Sequence, residues 1–145
     1  MAENRRKALR LHLQIDGSSR GNPGPSASAA VLRDEEGTVL AEVAQELGST
    51  TNNVAEYFAL IMALEEALKL RAEEVVVESD SLLLVRQRQG EYKVRDVRLR
   101  RLEQWVRRLE AGFRSVTYRH VPREANERAD ALARQALRKR SDKEG

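Results

Sequence analysis

At 145 residues the chain has the length of one compact domain, enough to bury roughly two-thirds of its unfolded surface without covalent staples. It has no cysteine, which excludes disulfides, thiolate zinc sites and cysteine nucleophiles, and no apolar run approaches the ~20 residues of a membrane span. The net charge of +3 is unevenly placed: residues 95–140 carry 14 Lys or Arg against 6 Asp or Glu, leaving the remainder acidic. A basic segment beside an acidic remainder suits a protein that holds a polyanion near carboxylates, although on charge alone a solvated arginine-rich helix face is the commoner explanation. The charged segment Met1–Arg10 lacks the apolar stretch of a secretory signal, so a cytoplasmic protein without membrane association is expected.

In chain order, Leu9–Asp16 alternates apolar and polar residues, the period of a strand with one face in the core. Gly17–Pro25 is turn chemistry and should end that strand directly after Asp16. Ser26–Arg33 and Val39–Leu47 read as two further strands joined by the hairpin signal Asp34–Gly37, so antiparallel pairing is expected. A helix begins near Asn53, with Tyr57, Leu60, Ile61, Leu64 and Leu68 as its buried stripe. Val75–Val77 is a short β-branched strand ending at Asp80. Leu82–Gln89 reads as a short helix stopped by Gly90. Val97–Leu109 reads as a longer one with Val97, Arg101, Trp105 and Arg108 on one face. Ser115–Val121 returns as a strand closed by Pro122, and Ala125–Leu137 is a final helix. Residues 1–8 and 138–145 offer little to bury and are expected to be flexible ends of a single domain spanning 1–145. Three strands, then strands alternating with helices, predict an α/β fold: a mixed five-stranded sheet, antiparallel at first and then parallel, flanked by helices.

Four carboxylates stand out, each with a bland alternative. Asp16 suits a turn after a strand. Glu56 has the spacing of a reciprocating acid three residues after an Asn53 N-cap. Asp80 suits a helix cap, and Asp130 an ion pair with Arg134 one turn on. Together they say more. Asp16 and Asp80 both end strands, the edge where open α/β sheets place ligands. Glu56 is the only charge in Val54–Leu64, and Asp130 borders the apolar stripe of the last helix. If the strands ending in Asp16 and Asp80 are neighbours, a hard-oxygen cluster forms that cannot stay ionised without cations, and Mg²⁺ or Mn²⁺ is the expected occupant. Spacing alone does not choose a reaction.

The blocks that carry a family resemblance are Ile15-Asp16-Gly17-Ser18 with Gly21-Asn22-Pro23-Gly24-Pro25, Thr51–Glu56, Ser79-Asp80-Ser81, and His120–Asp130. In this order and on these elements, they make the chain resemble type 1 ribonuclease H from Leu9 to Leu137. The resemblance implies a ribonuclease H-like fold and a metal-dependent endonuclease that hydrolyses the RNA strand of RNA/DNA hybrids, leaving 5′-phosphate and 3′-hydroxyl ends. It implies two Mg²⁺ ions, with Mn²⁺ as a substitute, held by Asp16, Glu56, Asp80 and Asp130. In a two-metal mechanism the ions lie roughly 4 Å apart, flanking the attacking water and the departing oxygen. Asp16 is the expected bridge. His120 matches the family's proton-handling histidine, whereas His12 matches no role and is expected to be structural.

For substrate, the resemblance implies that Asn22, Asn52 and Asn53 read the 2′-hydroxyl and that Thr51 holds a phosphate of the DNA strand. Turn and cap formation explain asparagine at these positions equally well. The chain departs from the family pattern at Ser49, where arginine is frequent, and at Leu82, where glutamine is common. The segment between Asp80 and Trp105 lacks the long basic protrusion of many bacterial members, and no preceding hybrid-binding module is expected, so the chain resembles the compact ones. Grip is then expected from Lys93, Arg95 and neighbouring arginines through phosphate contacts. A monomer is expected. The alternatives are a hybrid-binding protein without catalysis, a nuclease of the same fold that also cuts double-stranded RNA, and a carboxylate-metal phosphatase. The absence of a phosphate-cradling glycine-rich motif disfavours the last.

Overall fold

The structure is a computed structural model describing residues 9–144, with side chains described through residue 138; residues 1–8 and 145 lie outside it. The alternating segment forms β1 (Arg10–Ser19), followed by β2 (Gly24–Arg33) and β3 (Val39–Thr50). Then come α1 (Asn52–Lys69), β4 (Glu74–Ser79), α2 (Leu82–Arg88), α3 (Val97–Glu110), β5 (Ser115–His120), a 3-10 turn (Arg123–Asn126) and α4 (Glu127–Glu144). The strands form one sheet in the order β3-β2-β1-β4-β5. The β1–β2 and β2–β3 pairs are antiparallel, and the β1–β4 and β4–β5 pairs are parallel. The mixed sheet expected from the element order is the one formed.

The sheet is covered on both sides because β2 is buried on both faces, while β1 and β4 turn an apolar row toward α1. Leu11, Leu13 and Ile15 of β1, Ala30 and Leu32 of β2, and Val75 and Val77 of β4 join a core with Tyr57, Leu60, Ile61 and Leu64 of α1. Successive residues of a strand face opposite ways. Ala27, Ala29 and Val31 are also fully buried, and they supply the other face, where α4 packs with Ala129, Ala133 and Leu137. Burying a leucine or isoleucine side chain contributes about 1.5–3 kcal/mol, so these two layers carry most of the favourable energy.

Two expectations are corrected, the end of β1 and the start of the last helix, and the face by which α3 packs is defined. Strand β1 does not stop at Asp16 but runs to Ser19, pairing through Ser19 with Ser26, so the turn shrinks to residues 20–23. The buried face of α3 is Leu99 and Val106, with Leu102 and Leu109 partly covered, whereas Val97 and Trp105 are exposed. Trp105 meets only the edge of the α1 surface, through a T-shaped contact with Phe58 at 6.5 Å. The final helix begins at Glu127 rather than Ala125 and runs past Leu137 as far as Glu144, while the flexible ends expected at residues 1–8 and 145 lie outside the described residues. The tail is rich in Arg, Lys and Glu, which favour helix, and no Gly or Pro interrupts it before Gly145.

The region around α3 is held by a buried ionic knot. Arg88, its side chain only 5% exposed, donates to Glu103 at 3.0 Å and to Glu110 at 2.9 Å. Tyr118 donates its hydroxyl to Glu110, and Tyr57 donates to Gln87, linking α1, α2, α3 and β5. Removing one partner of such a pair strands the others without compensation. Arg88→Ala is therefore expected to cost about 3–5 kcal/mol in urea unfolding.

Candidate active site

The site is assembled by strand register. Gln14 pairs with Glu78 and Ile15 with Ser79 in the parallel β1–β4 ladder, so the next residues, Asp16 and Asp80, emerge side by side at the carboxyl rim. Helix α1 supplies the third carboxylate. Its first turn is capped by Thr51, whose side chain accepts from Val54 N, which places Glu56 two residues too far in to act as a capping-box acid. Glu56 instead accepts from Gly17 N at 2.9 Å through Oε1. Gly17 permits this approach: a Cβ there would lie 2.6 Å from Glu56 N and 2.7 Å from Ala55 C, both backbone atoms. Ser28 reinforces the seam by donating to Ala55 O at 2.5 Å. The capping alternative for Asp80 fails too, since Ser81 accepts from Leu84 N and caps α2.

One oxygen from each of Asp16, Glu56 and Asp80 lies within 4.8 Å of the others. Asp16 and Glu56 are 5% and 2% exposed. Burial, followed by the charges of the neighbouring acids, pushes Asp16 well above the usual carboxylate range. Burial also raises Glu56, against the opposing hydrogen bond from Gly17. Asp80 is raised by burial, partly offset by Arg123. Glu56 Oε2 is buried with no hydrogen-bond partner. A convergent, all-oxygen donor set with an orphaned buried carboxylate oxygen fits a hard divalent cation.

Asp130 lines the same cleft, about 500 Å³ in volume, but stands outside the three-carboxylate group. Its oxygens engage Arg134 at 3.0 Å and Arg123 at 3.9 Å, so the ion pair foreseen with Arg134 is present. Its position is set by Asn126, 1% exposed, which donates to Ile15 O at 2.7 Å and pins the start of α4 beside Asp16. His120 ends β5 opposite Ser79, lines the cleft, and holds Nε2 3.3 Å from Asp80 O. His12 lies one layer down, its Nδ1 3.3 Å from Glu78 Oε2.

Among the residues expected to touch substrate, Asn52 lines the cleft and is exposed. Asn22 is bound into the scaffold, its Oδ1 accepting from Asn52 N at 3.0 Å. Asn53 and Thr51 do not line the cleft; Thr51 caps α1, and Asn53 Oδ1 is buried and unpartnered. Lys93 and Arg95 are exposed in the segment between α2 and α3, and Lys93 lines a separate depression. Ser18, Ser19 and Arg123 also line the cleft, without having been singled out from the sequence. Ser18 and Arg123 lie inside the quoted blocks, but serine after a strand and arginine in a basic segment carry no distinctive signal.

This sheet order, with carboxylates from β1, α1 and β4 at one rim, defines a ribonuclease H-like fold. The family described as reverse transcriptase-like matches residues 14–136. A ribonuclease HI of Halobacterium salinarum is 45% identical over 128 residues, covering 88% of this chain and 64% of that protein. A bifunctional protein of Mycobacterium tuberculosis is 44% identical, with 36% of its length covered. The chain thus spans between about one-third and two-thirds of these relatives. The N-terminal RNase H domain of a Mycobacterium tuberculosis protein superposes with a TM-score of 0.91 at 41% identity, covering 95% of this chain and 100% of that one. LC11-RNase H1, solved in complex with an RNA/DNA hybrid, superposes at 0.84 with 41% identity, covering 89% and 97%. The chain belongs to the type 1 ribonuclease H family.

The raised carboxylates have a thermodynamic consequence. A group whose pKa is higher folded than unfolded stabilises the fold below its unfolded pKa, and that contribution is lost as pH rises through the folded value. Without metal, thermal stability should therefore fall as pH climbs from the ordinary carboxylate range into the neutral and alkaline range. Mg²⁺ should restore it most at the alkaline end, where the carboxylates are ionised and bind best. Melting curves with EDTA and with Mg²⁺ across pH 5–9 measure both effects; parallel curves would contradict them.

Proposed function

We propose that the chain is an endoribonuclease that hydrolyses the RNA strand of RNA/DNA hybrids, leaving 5′-phosphate and 3′-hydroxyl ends, with residues 1–145 acting as one catalytic domain. The observation that carries the reading is the trio of converging carboxylates with the unpartnered Glu56 Oε2. Membership of a family with a hybrid-bound relative supports the substrate.

Two Mg²⁺ ions are the proposed cofactor, held by Asp16, Glu56 and Asp80, with Asp130 joining from α4. When bound, such ions activate a water and stabilise the departing oxygen of a phosphodiester. Asp16, which feels the charges of Glu56, Asp80 and Asp130 alike, would be the principal residue holding the ions. The buried backbone around Gly17 and Ala55 holds Glu56 rigidly toward them, which pre-organises the site before substrate arrives. His120, which lines the cleft with its ring beside Asp80 O, is the proposed group for moving a proton near the leaving group. Asn52 is the best-placed side chain to read a 2′-hydroxyl, with Asn22 fixing the backbone beneath it. Lys93 and Arg95, being outside the cleft, are proposed as outer phosphate contacts only.

The reading is tested with matched RNA/DNA, RNA/RNA and DNA/DNA duplexes under Mg²⁺, Mn²⁺ and EDTA. Metal-dependent cleavage of the RNA strand in the hybrid is expected; binding without cleavage would leave a hybrid-binding protein instead. Asp16→Asn should abolish hydrolysis while the circular dichroism spectrum is retained. His120→Ala should lower kcat by on the order of 10²-fold without eliminating turnover, and an unchanged kcat would remove the histidine from the chemistry.

A further inference from the structure

One row below the carboxylate rim, two residues back from Asp16 and Asp80 and so on the same sheet face, a belt of polar side chains crosses the sheet. Gln14, Glu78 and Arg119 are register partners on β1, β4 and β5. Arg33 donates to Gln14 Oε1 at 2.9 Å, and Gln14 Nε2 donates in turn to Glu78 Oε1 at 3.4 Å. Glu78 is buried and takes Arg119 at 3.0 Å and the His12 ring at 3.3 Å on its other oxygen, so His12 belongs to the belt. The belt leaves the sheet at one point. Gln14 Nε2 also donates to Ala125 O at 3.3 Å, in the 3-10 turn that leads into α4. That turn has no side-chain cap of its own.

His120 and Asp130 flank the connection between β5 and α4, and both line the cleft. The belt grips that connection at both ends. Arg119, beside His120, is held by Glu78, and Ala125 O is held by Gln14, next to the Asn126 clamp on Ile15 O. We propose that Gln14 is a positioning residue for hydrolysis: working with Glu78, it holds the connection against β1 and so fixes His120 and Asp130 relative to Asp16 and Asp80. This deepens the nuclease reading above and rests on it. Hydrogen bonds of one half-buried glutamine add little net stability. Displacing a reacting group by about 1 Å, in contrast, costs on the order of 10²-fold in rate. Loss of the Gln14 contacts should therefore show in turnover before it shows in stability.

The test compares the full-length chain with three variants. Gln14→Met keeps the length of the side chain and removes its donor and acceptor. Gln14→Glu is isosteric and still accepts from Arg33 but has nothing to donate, and Gln14→Lys restores a donor. In the metal-free protein, amide hydrogen exchange at Val121, Ala125 and the first turn of α4 should quicken on the order of tenfold in Gln14→Met and Gln14→Glu, with the central amides of β1 and β4 unchanged. On an RNA/DNA hybrid with saturating Mg²⁺, kcat of both should fall on the order of tenfold while KM stays within about twofold. Gln14→Lys should recover most of both losses. Tyr57→Phe, which removes a buried hydrogen bond to Gln87, should lower the melting temperature and leave kcat unchanged. A rise in KM alone, exchange that quickens throughout the sheet, or kcat and exchange unchanged in Gln14→Met and Gln14→Glu would each overturn the proposal. A wild-type chain that cuts no duplex would sink the nuclease reading, and exchange in the connection would still decide whether Gln14 holds it.

Discussion

Parallel pairing between β1 and β4 is the constraint on which the site depends. In that ladder residues of equal register point the same way, so the pairing that aligns Gln14 with Glu78 necessarily sets Asp16 beside Asp80. Two like charges at adjacent strand ends repel, and a third, Glu56, is driven in against them by the approach of α1 to Gly17. The apolar layers beneath must supply the energy that holds them together. They do so on both faces, with the α1 core on one side and the small residues of β2 under α4 on the other.

The acids are not treated alike. Asp16 and Glu56 are buried and have no cationic side chain bonded to them, whereas Asp130 is partly open and rests against Arg134 and Arg123. The sheet thus presents a fixed, electrostatically strained trio, and the helix presents a fourth carboxylate already engaged by cations. One layer lower, Glu78 shows the contrasting solution to a buried acid: Arg119 at 3.0 Å, with His12 and Gln14 alongside. Among the described residues, Asp16 and Glu56 show no such ion pair, a deficit that a bound divalent cation would relieve.

Most of the architecture was legible because its signals are local and periodic. The alternation from Leu9, the helical stripe from Tyr57 to Leu64 and the β-branched run Val75–Val77 each report burial directly. Which face of α3 packs was not legible, because Leu99 and Val106 lie among arginines and the four residues read as one face include two of them. The end of β1 misled because glycine and serine read as a turn, although Gly17 is there to admit a helix against the strand. The four carboxylates were legible as a set only through their blocks. Taken singly, the ion pair foreseen for Asp130 is real, while the caps foreseen for Glu56 and Asp80 belong to Thr51 and Ser81.

The single hydrogen bond from the Asn126 side-chain amide to Ile15 O turns the stretch between Asn126 and Asp130 into a ruler. One end is clamped to the backbone beside Asp16, and each helical residue after it advances the next side chain by about 100° around the axis. Four steps, about 400°, return the Asp130 side chain to within about 40° of the direction of Asn126, whereas a fifth would carry it roughly 140° away. One residue inserted between Asn126 and Asp130 would thus turn the carboxylate away from the cleft while the clamp itself stayed in place, so the position of the acid is measured from a point that lies outside the carboxylate group.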